Sequence, residues 1–363
     1  MQICHGGVAV VGAGNGGLAI AAVMALAGES VRVYDNLEET IAPIRELGGV
    51  FVKTPGYEGF AGFNTVSTDI RATLDGVGLV MVVTPASAHA AVARAMAGDL
   101  APRSVVVLNP GRTGGALEMA HLFEKLCPEK NIVVAEAQTL LYACRKTSAT
   151  RVEIKGEKKV VPVAAYPAGE TLRVVERLQR CFPAFIPATS MLETSFANIG
   201  AIFHPTPTLL NTGWIESTHG NFEYYHQGIS KAVAGLMEQL DRERLAVASA
   251  YGVSALSACE WLREAYGVNE HQLFDAIQQN RAYAGIKAPS EIRVRYLTED
   301  VPTGLVPLAC FGRIAGVATP LMDALIAAAS RMLNINFVEI GRNERNLGLW
   351  GMSRADVIHL ATK

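Results

Sequence analysis

The chain has 363 residues, is 50% hydrophobic and 18% charged, and carries a formal net charge of -2; its length suits about two domains of roughly 150 residues, each able to bury a core. Without a run of Lys or Arg interleaved with aromatics it lacks the dense positive field that selects phosphate backbones, and its apolar blocks are too interrupted to supply the roughly 20-residue span that crosses a bilayer. Neither nucleic acid nor membrane is therefore an expected partner. The start, MQICHGGVAVVGAGNGG, has no basic stretch followed by a separate apolar region and cleavage site, and reads as a first strand and not as a signal peptide. The six cysteines, Cys4, Cys127, Cys144, Cys181, Cys259 and Cys310, are scattered, with no C-x-x-C and no clustering with His. No metal site is expected from them, and reduced thiols in a cytoplasmic protein are.

In chain order, the runs VAVVG (8–12), VRVYD (31–35), LVMVV (79–83), VVVLN (105–109) and IVVAE (132–136) are continuous apolar blocks separated by longer helix-like stretches. Such runs predict parallel strands covered on both faces, joined by helical crossovers into a doubly wound sheet. RVEIKG and KKVVPVAAYP, separated by a turn-like GEK, are two further strand candidates extending the same domain. After the proline-marked CFPAFIPATS (181–190) the strand-like blocks vanish. Long amphipathic stretches replace them at 228–252, closed by Gly252, and at 319–334, opened by Thr319-Pro320. The expectation is an α/β domain over 1–188 and a mostly α-helical domain over 189–363.

GAGNGG at 12–17 sets Gly12, Gly14 and Gly17 in a G-x-G-x-x-G spacing directly after a strand and before the helix-like LAIAAVMALAG. Gly12 suits a tight turn, Gly14 a close approach of pyrophosphate to the backbone, and Gly17 close helix–strand packing, with Asn15 and Gly16 in the same loop. The free amides of the following helix would meet the phosphates, which makes 1–188 a Rossmann-type dinucleotide-binding domain. Asp35 ends the second strand about 20 residues on, where a carboxylate accepts hydrogen bonds from ribose hydroxyls and repels the extra phosphate of NADP. No Arg follows it, so NAD is favoured over NADP. VTPASAHA (83–90) and LNPGRTGG (108–115), which offers Asn109 and Arg112, also follow strands and are expected beside the cofactor.

NIGAIFHPTPTLLN (198–211) places His204 in an apolar run with Pro205 and Pro207 after it. The prolines restrict the backbone and so the direction of the imidazole. A dehydrogenase acting on an amine or hydroxyl needs a group that takes a proton as hydride leaves, and a histidine held in one tautomer by a carboxylate does this near neutral pH. RVRYLTEDVPTGLVP (293–307) supplies a candidate carboxylate, Asp300, and a candidate anchor for a substrate carboxylate, Arg295, ahead of what reads as a proline-glycine turn. A second aromatic-rich stretch, HGNFEYYHQG with Trp214 before it, reads either as a side-chain pocket or as a packing face. His219 could pair with Glu223 in it, but two such ligands do not make a zinc site.

Taken together, GAGNGG, LNPGRTGGALE, YACR, HPTPTLLN, FEYYHQGIS, ACEWLREAYG, RYLTEDVPTGLVPL and GVATPLMDALI resemble the opine dehydrogenases of the octopine and nopaline group across nearly the whole chain. The resemblance implies NAD-linked condensation of a 2-oxo acid, usually pyruvate, with the amino group of an L-amino acid. It implies His204 as general acid and base, Asp300 as its orienting partner and Arg295 as carboxylate anchor. Glycerol-3-phosphate dehydrogenases and ketopantoate reductases resemble the chain in the first domain only and rely on a catalytic lysine, for which Lys231 is the candidate. A nonenzymatic NAD sensor would keep Gly12, Gly14, Gly17 and Asp35 without needing the other three. The apolar helices of the second domain make a homodimer the expected assembly.

Overall fold

The apolar runs of the first half become the strands of one large sheet. The computed structural model describes residues 6–363; Cys4 lies outside them, and the other five cysteines are free thiols. In chain order the strands are β1 (Val8–Val11), β2 (Val31–Tyr34), β3 (Gly49–Thr54), β4 (Tyr57–Gly62), β5 (Thr65–Ser67), β6 (Leu79–Val82), β7 (Val105–Leu108), β8 (Val133–Ala137), β9 (Tyr142–Ser148), β10 (Arg151–Glu157), β11 (Val161–Tyr166) and β12 (Phe185–Pro187). The eight-stranded sheet has the order β12-β11-β8-β7-β6-β1-β2-β5. From β5 to β8 every pairing is parallel, and β11 then runs antiparallel to β8. β1, β6 and β7 are buried along their whole length, which is why they carry only Val, Ala, Leu and Met.

The strand order reverses between β1 and β6, the position in an open α/β sheet at whose carboxyl-end loops ligands bind. The glycine loop leaves β1, and the loop beginning at Val83 leaves β6. Their backbones touch, because a Cβ on Gly12 would stand 2.6 Å from the Val83 carbonyl oxygen.

A second sheet, of order β4-β3-β10-β9, packs over the helix Asn15–Leu26. RVEIKG and KKVVPVAAYP both form strands of the first unit, as expected, but in different sheets. β11 joins the eight-stranded sheet, whereas β10 pairs with β3 and β9. GVFVKTPGYEGFAG conceals the β3–β4 hairpin because its apolar residues are partly exposed, Phe51 and Phe60 among them. The two rings meet edge to face and Arg151 covers Phe51.

Two compact units result, one running to Thr194 and taking back Leu360–Lys363, the other Ser195–His359. The boundary thus falls six residues after the expected 188. The helix Met191–Phe196 starts in the first unit because Thr194 Oγ1 donates to the buried Glu136 carboxylate on β8, at 2.6 Å. The Gly169 amide, in the same unit, donates to the Lys363 carbonyl.

In the described residues of the second unit, helices replace strands, apart from one isolated bridge between Glu223 and Lys287. The helix Lys231–Ala250 begins where Ser230 Oγ accepts the Val233 amide. Gly252, in the left-handed region at φ +74°, follows its end. Inside it Arg244 is fully buried yet satisfied, donating to Asp241, to the Phe196 carbonyl and to the Leu256 carbonyl. Asp241 in turn accepts the Ala258 amide at the start of the next helix. No helix of the described residues is long and apolar enough to cross a membrane.

Candidate active site

His204 stands at the junction of two short helices, Gly200–Phe203 and Pro205–Leu210. Pro205 occupies the first turn of the second, where its missing amide costs no hydrogen bond. The junction is fastened from behind. The His204 carbonyl accepts from Thr208 Oγ1 and from the Tyr224 hydroxyl, each at 2.8 Å, and those two hydroxyls lie 2.9 Å apart. Burial holds the Tyr224 phenol well above its usual range, so it remains a neutral donor.

The imidazole is fastened by the distant segment at 295–300. His204 Nδ1 lies 2.8 Å from Asp300 Oδ2, with Asp300 buried and the histidine side chain 21% exposed. A carboxylate accepting from Nδ1–H leaves Nε2 as the nitrogen that exchanges a proton. Tyr296 stacks on the imidazole, ring centroids 4.4 Å apart and planes 13° apart. The sequence motifs do not single out Tyr296. Its spacing of four from Asp300 would place both on one helical face, and that was the available signal.

The segment after Asp300 is not the turn its proline and glycine suggest. Val301–Leu305 is a π-helical turn that continues into the helix Val306–Ala315. Pro302 falls in the first turn, where no donor is needed, and Gly304 is small because a Cβ there would meet Ala201 at 2.9 Å. Glu299 and Asp300 are consequently buried. Arg295 opens the short helix Arg295–Thr298, with Nε and Nη2 at 2.6 and 2.5 Å from the same oxygen of Glu299. Its side chain is 66% exposed, leaving Nη1 and the outer Nη2 hydrogen for another partner.

The stretch around Trp214 is a packing face in large part. Trp214 stacks on Phe222 at 3.9 Å, and Tyr225 stacks on Tyr283. Tyr224 instead reaches the site, lying against Tyr296 at 5.0 Å. The pairing of His219 with Glu223 that the spacing allows is not formed. His219 sits in the left-handed region at the end of the helix Thr212–Thr218, and Glu223 pairs with His226 at 3.2 Å. Lys231 Nζ lies over the Phe274 ring, 5.7 Å from its centroid. No group of three His, Cys, Asp or Glu side chains among the described residues is arranged to hold a metal.

In the first unit the glycine loop fits a dinucleotide. A Cβ on Gly17 would lie 1.7 Å from the Gly12 carbonyl oxygen, so only glycine lets helix and loop approach this closely. A Cβ on Gly14 would meet nothing within 4 Å, which leaves open space beside the amides of the first helical turn. Asp35 braces the loop: one oxygen accepts the Ala13 amide at 2.8 Å and the other the Leu37 amide at 3.1 Å. Each oxygen retains a lone pair for a hydroxyl. The side chain of Asn15 is turned to β9, its Oδ1 accepting the Lys146 amide at 2.9 Å. Its side chain therefore acts as a brace between loop and strand.

Residues 187–333 match the family model of the alpha-helical domain of NAD/NADP octopine/nopaline dehydrogenases. Residues 7–134 match that of the NAD-dependent glycerol-3-phosphate dehydrogenase N-terminus. The chain is 36% identical over 350 residues to an opine dehydrogenase of Arthrobacter sp. (strain 1C), covering 96% of this chain and 97% of the relative. It is 25% identical over 306 residues to the octopine dehydrogenase of Pecten maximus, covering 76% and 75%. A solved octopine dehydrogenase in complex with NADH and agmatine shares the fold, with a TM-score of 0.79 at 22% identity over 97% of each chain. A ketopantoate reductase from Ralstonia eutropha JMP134 is a more distant fold relative, with a TM-score of 0.61 at 18% identity over 92% and 99%.

Proposed function

The chain belongs to the opine dehydrogenase family of NAD(P)-dependent oxidoreductases acting on CH–NH bonds, and from that premise we propose that it condenses pyruvate or a similar 2-oxo acid reductively with the amino group of an L-amino acid, and runs the reverse oxidation. The observation that carries this reading is the His204–Asp300 pair at 2.8 Å, with Tyr296 stacked on the imidazole. Solved octopine dehydrogenases hold NADH with pyruvate and NADH with L-arginine, which supports these substrate classes.

Condensation of amine and ketone forms C=N and releases water; reduction then adds a hydride at carbon and a proton at nitrogen. Bound NADH supplies the hydride. Protonated His204 gives its Nε2 proton to the hydroxyl that leaves the carbinolamine as water, and Asp300 stabilises the imidazolium before that transfer. In the oxidative direction neutral His204 takes a proton from the water that attacks the imine. Arg295 holds the oxo-acid carboxylate with the nitrogens that Glu299 leaves available, Glu299 setting the plane of the guanidinium. The glycine loop would hold the pyrophosphate at Gly14 and the first helical turn, Gly12, Gly16 and Gly17 permitting the loop's shape, and Asp35 would accept from the ribose hydroxyls, favouring NAD over NADP.

In the same reading the enzyme works in the cytoplasm as a homodimer. Leu210, Trp214 and Met332 are exposed apolar side chains of the second unit that a partner subunit would cover, and sedimentation velocity tests this.

The test is product analysis with NADH deuterated at the transferable position. Mass spectrometry should find an N-(1-carboxyalkyl) amino acid carrying one deuterium on the new C–H. Deuterated 2-hydroxy acid as the sole product would contradict the proposal.

A further inference from the structure

β9 is the edge strand of the small sheet, and it lies against the glycine loop. Its side chains alternate, with Cys144 and Lys146 half-buried while Arg145 and Thr147 are exposed. Three contacts join it to the loop. Cys144 Sγ lies 3.3 Å from the Asn15 carbonyl oxygen, the Lys146 amide donates to Asn15 Oδ1, and Lys146 Nζ stands 3.4 Å from the Ala13 carbonyl oxygen. Ala13 is thus held through both its backbone groups, its amide by Asp35 and its carbonyl by Lys146.

The ammonium has three donors, and one long contact to a carbonyl occupies at most one of them. Lys146 forms no ion pair among the described residues. A half-buried cation in that condition, beside a loop with open space at Gly14 and the free amides of a helix start, suits an anion.

Resting on the proposal that this chain binds NAD, we infer that Lys146 is a cofactor-binding residue whose ammonium contacts the dinucleotide's pyrophosphate at the Ala13–Gly14 edge of the loop. The small sheet then delivers a charge to the phosphate site, and Asn15 sets the register that puts it there. Neutral variants retain the backbone amide that Asn15 holds, so charge and tether are separable.

The experiment measures NADH, NADPH and adenosine affinity by calorimetry for the wild type and for Lys146→Met, with thermal melts of each. Lys146→Met should bind both reduced dinucleotides about ten-fold more weakly, leave adenosine binding unchanged, and show a shallower loss of NADH affinity with salt. Lys146→Arg should restore most of the affinity. Lys146→Gln serves the same comparison if the methionine variant melts early. Unchanged NADH affinity, weakening of NADPH alone, equal weakening of adenosine, or an arginine variant as weak as the methionine one would each overturn the inference. A wild type that binds no NADH would bring down the functional proposal itself, and is seen before any variant is made.

Discussion

His204 Nδ1 and Asp300 Oδ2 lie 2.8 Å apart although 96 residues separate them in the chain. The pair depends on two helix junctions, each with a proline in the first turn after it, Pro205 and Pro302. If Asp300 orients the imidazole and stabilises its charged form, Asp300→Asn should lower kcat by about 10²-fold. NADH affinity and melting temperature should stay near wild type. His204→Ala should cost at least as much, and turnover near wild type in either variant would remove the pair from the mechanism.

Arg295 shares Glu299 Oε2 between Nε and Nη2. An anchor that grips the oxo-acid carboxylate equally in ground and transition states affects KM. Arg295→Met should therefore raise KM for the 2-oxo acid about ten-fold with kcat little changed. Steady-state kinetics at saturating amino acid check this, and unaltered KM and kcat would return Arg295 to a surface role.

Gly14 and Gly17 should respond oppositely to the same added methyl group. At Gly17 a Cβ collides with the Gly12 carbonyl, and Gly17→Ala should destabilise the fold by about 2 kcal/mol. Gly14 has φ −76° and open space, so Gly14→Ala should fold as well as the wild type. It should nevertheless bind NADH less tightly, because the methyl group occupies the pyrophosphate's approach. Thermal melts with and without NADH separate the two effects; equal melting of both apo variants would contradict the packing argument.

The helix Ala258–Tyr266 opens with a capping box in which Glu260 accepts from both the amide and the hydroxyl of Ser257. These hydrogen bonds hold the Glu260 carboxyl below its ordinary range. A depressed folded-state pKa contributes stability above the unfolded pKa of about 4.3 and loses it as pH falls through the folded value. Glu260→Gln should thus cost about 0.5 kcal/mol at neutral pH, solvent screening keeping it small. The difference should close on acidification, and one that persisted in acid would contradict the assignment.

The doubly wound sheet was legible because β1, β2, β6, β7 and β8 are short runs of apolar residues that burial in the sheet requires. The glycine loop, Asp35, His204 and Asp300 were legible because each has a local chemical reason for its place. The second sheet was not, since β3 and β4 keep Phe51 and Phe60 partly exposed and so lack a clean alternation. Pro302 and Gly304 suggest a turn in the sequence because such residues favour turns, whereas the deciding fact is the approach of Ala201 from a distant segment. Lys146 and Tyr296 follow the same rule. Their places are set by what lies across from them, Ala13 in one case and His204 in the other.

The most direct test of the central claim is NADH oxidation, followed by nicotinamide absorbance, with pyruvate and a panel of L-amino acids, each against pyruvate alone. Oxidation that requires both substrates and varies with the amino acid is the predicted result. Oxidation at full rate with pyruvate alone, or none with any pair, would contradict the assignment of reductive condensation to this site.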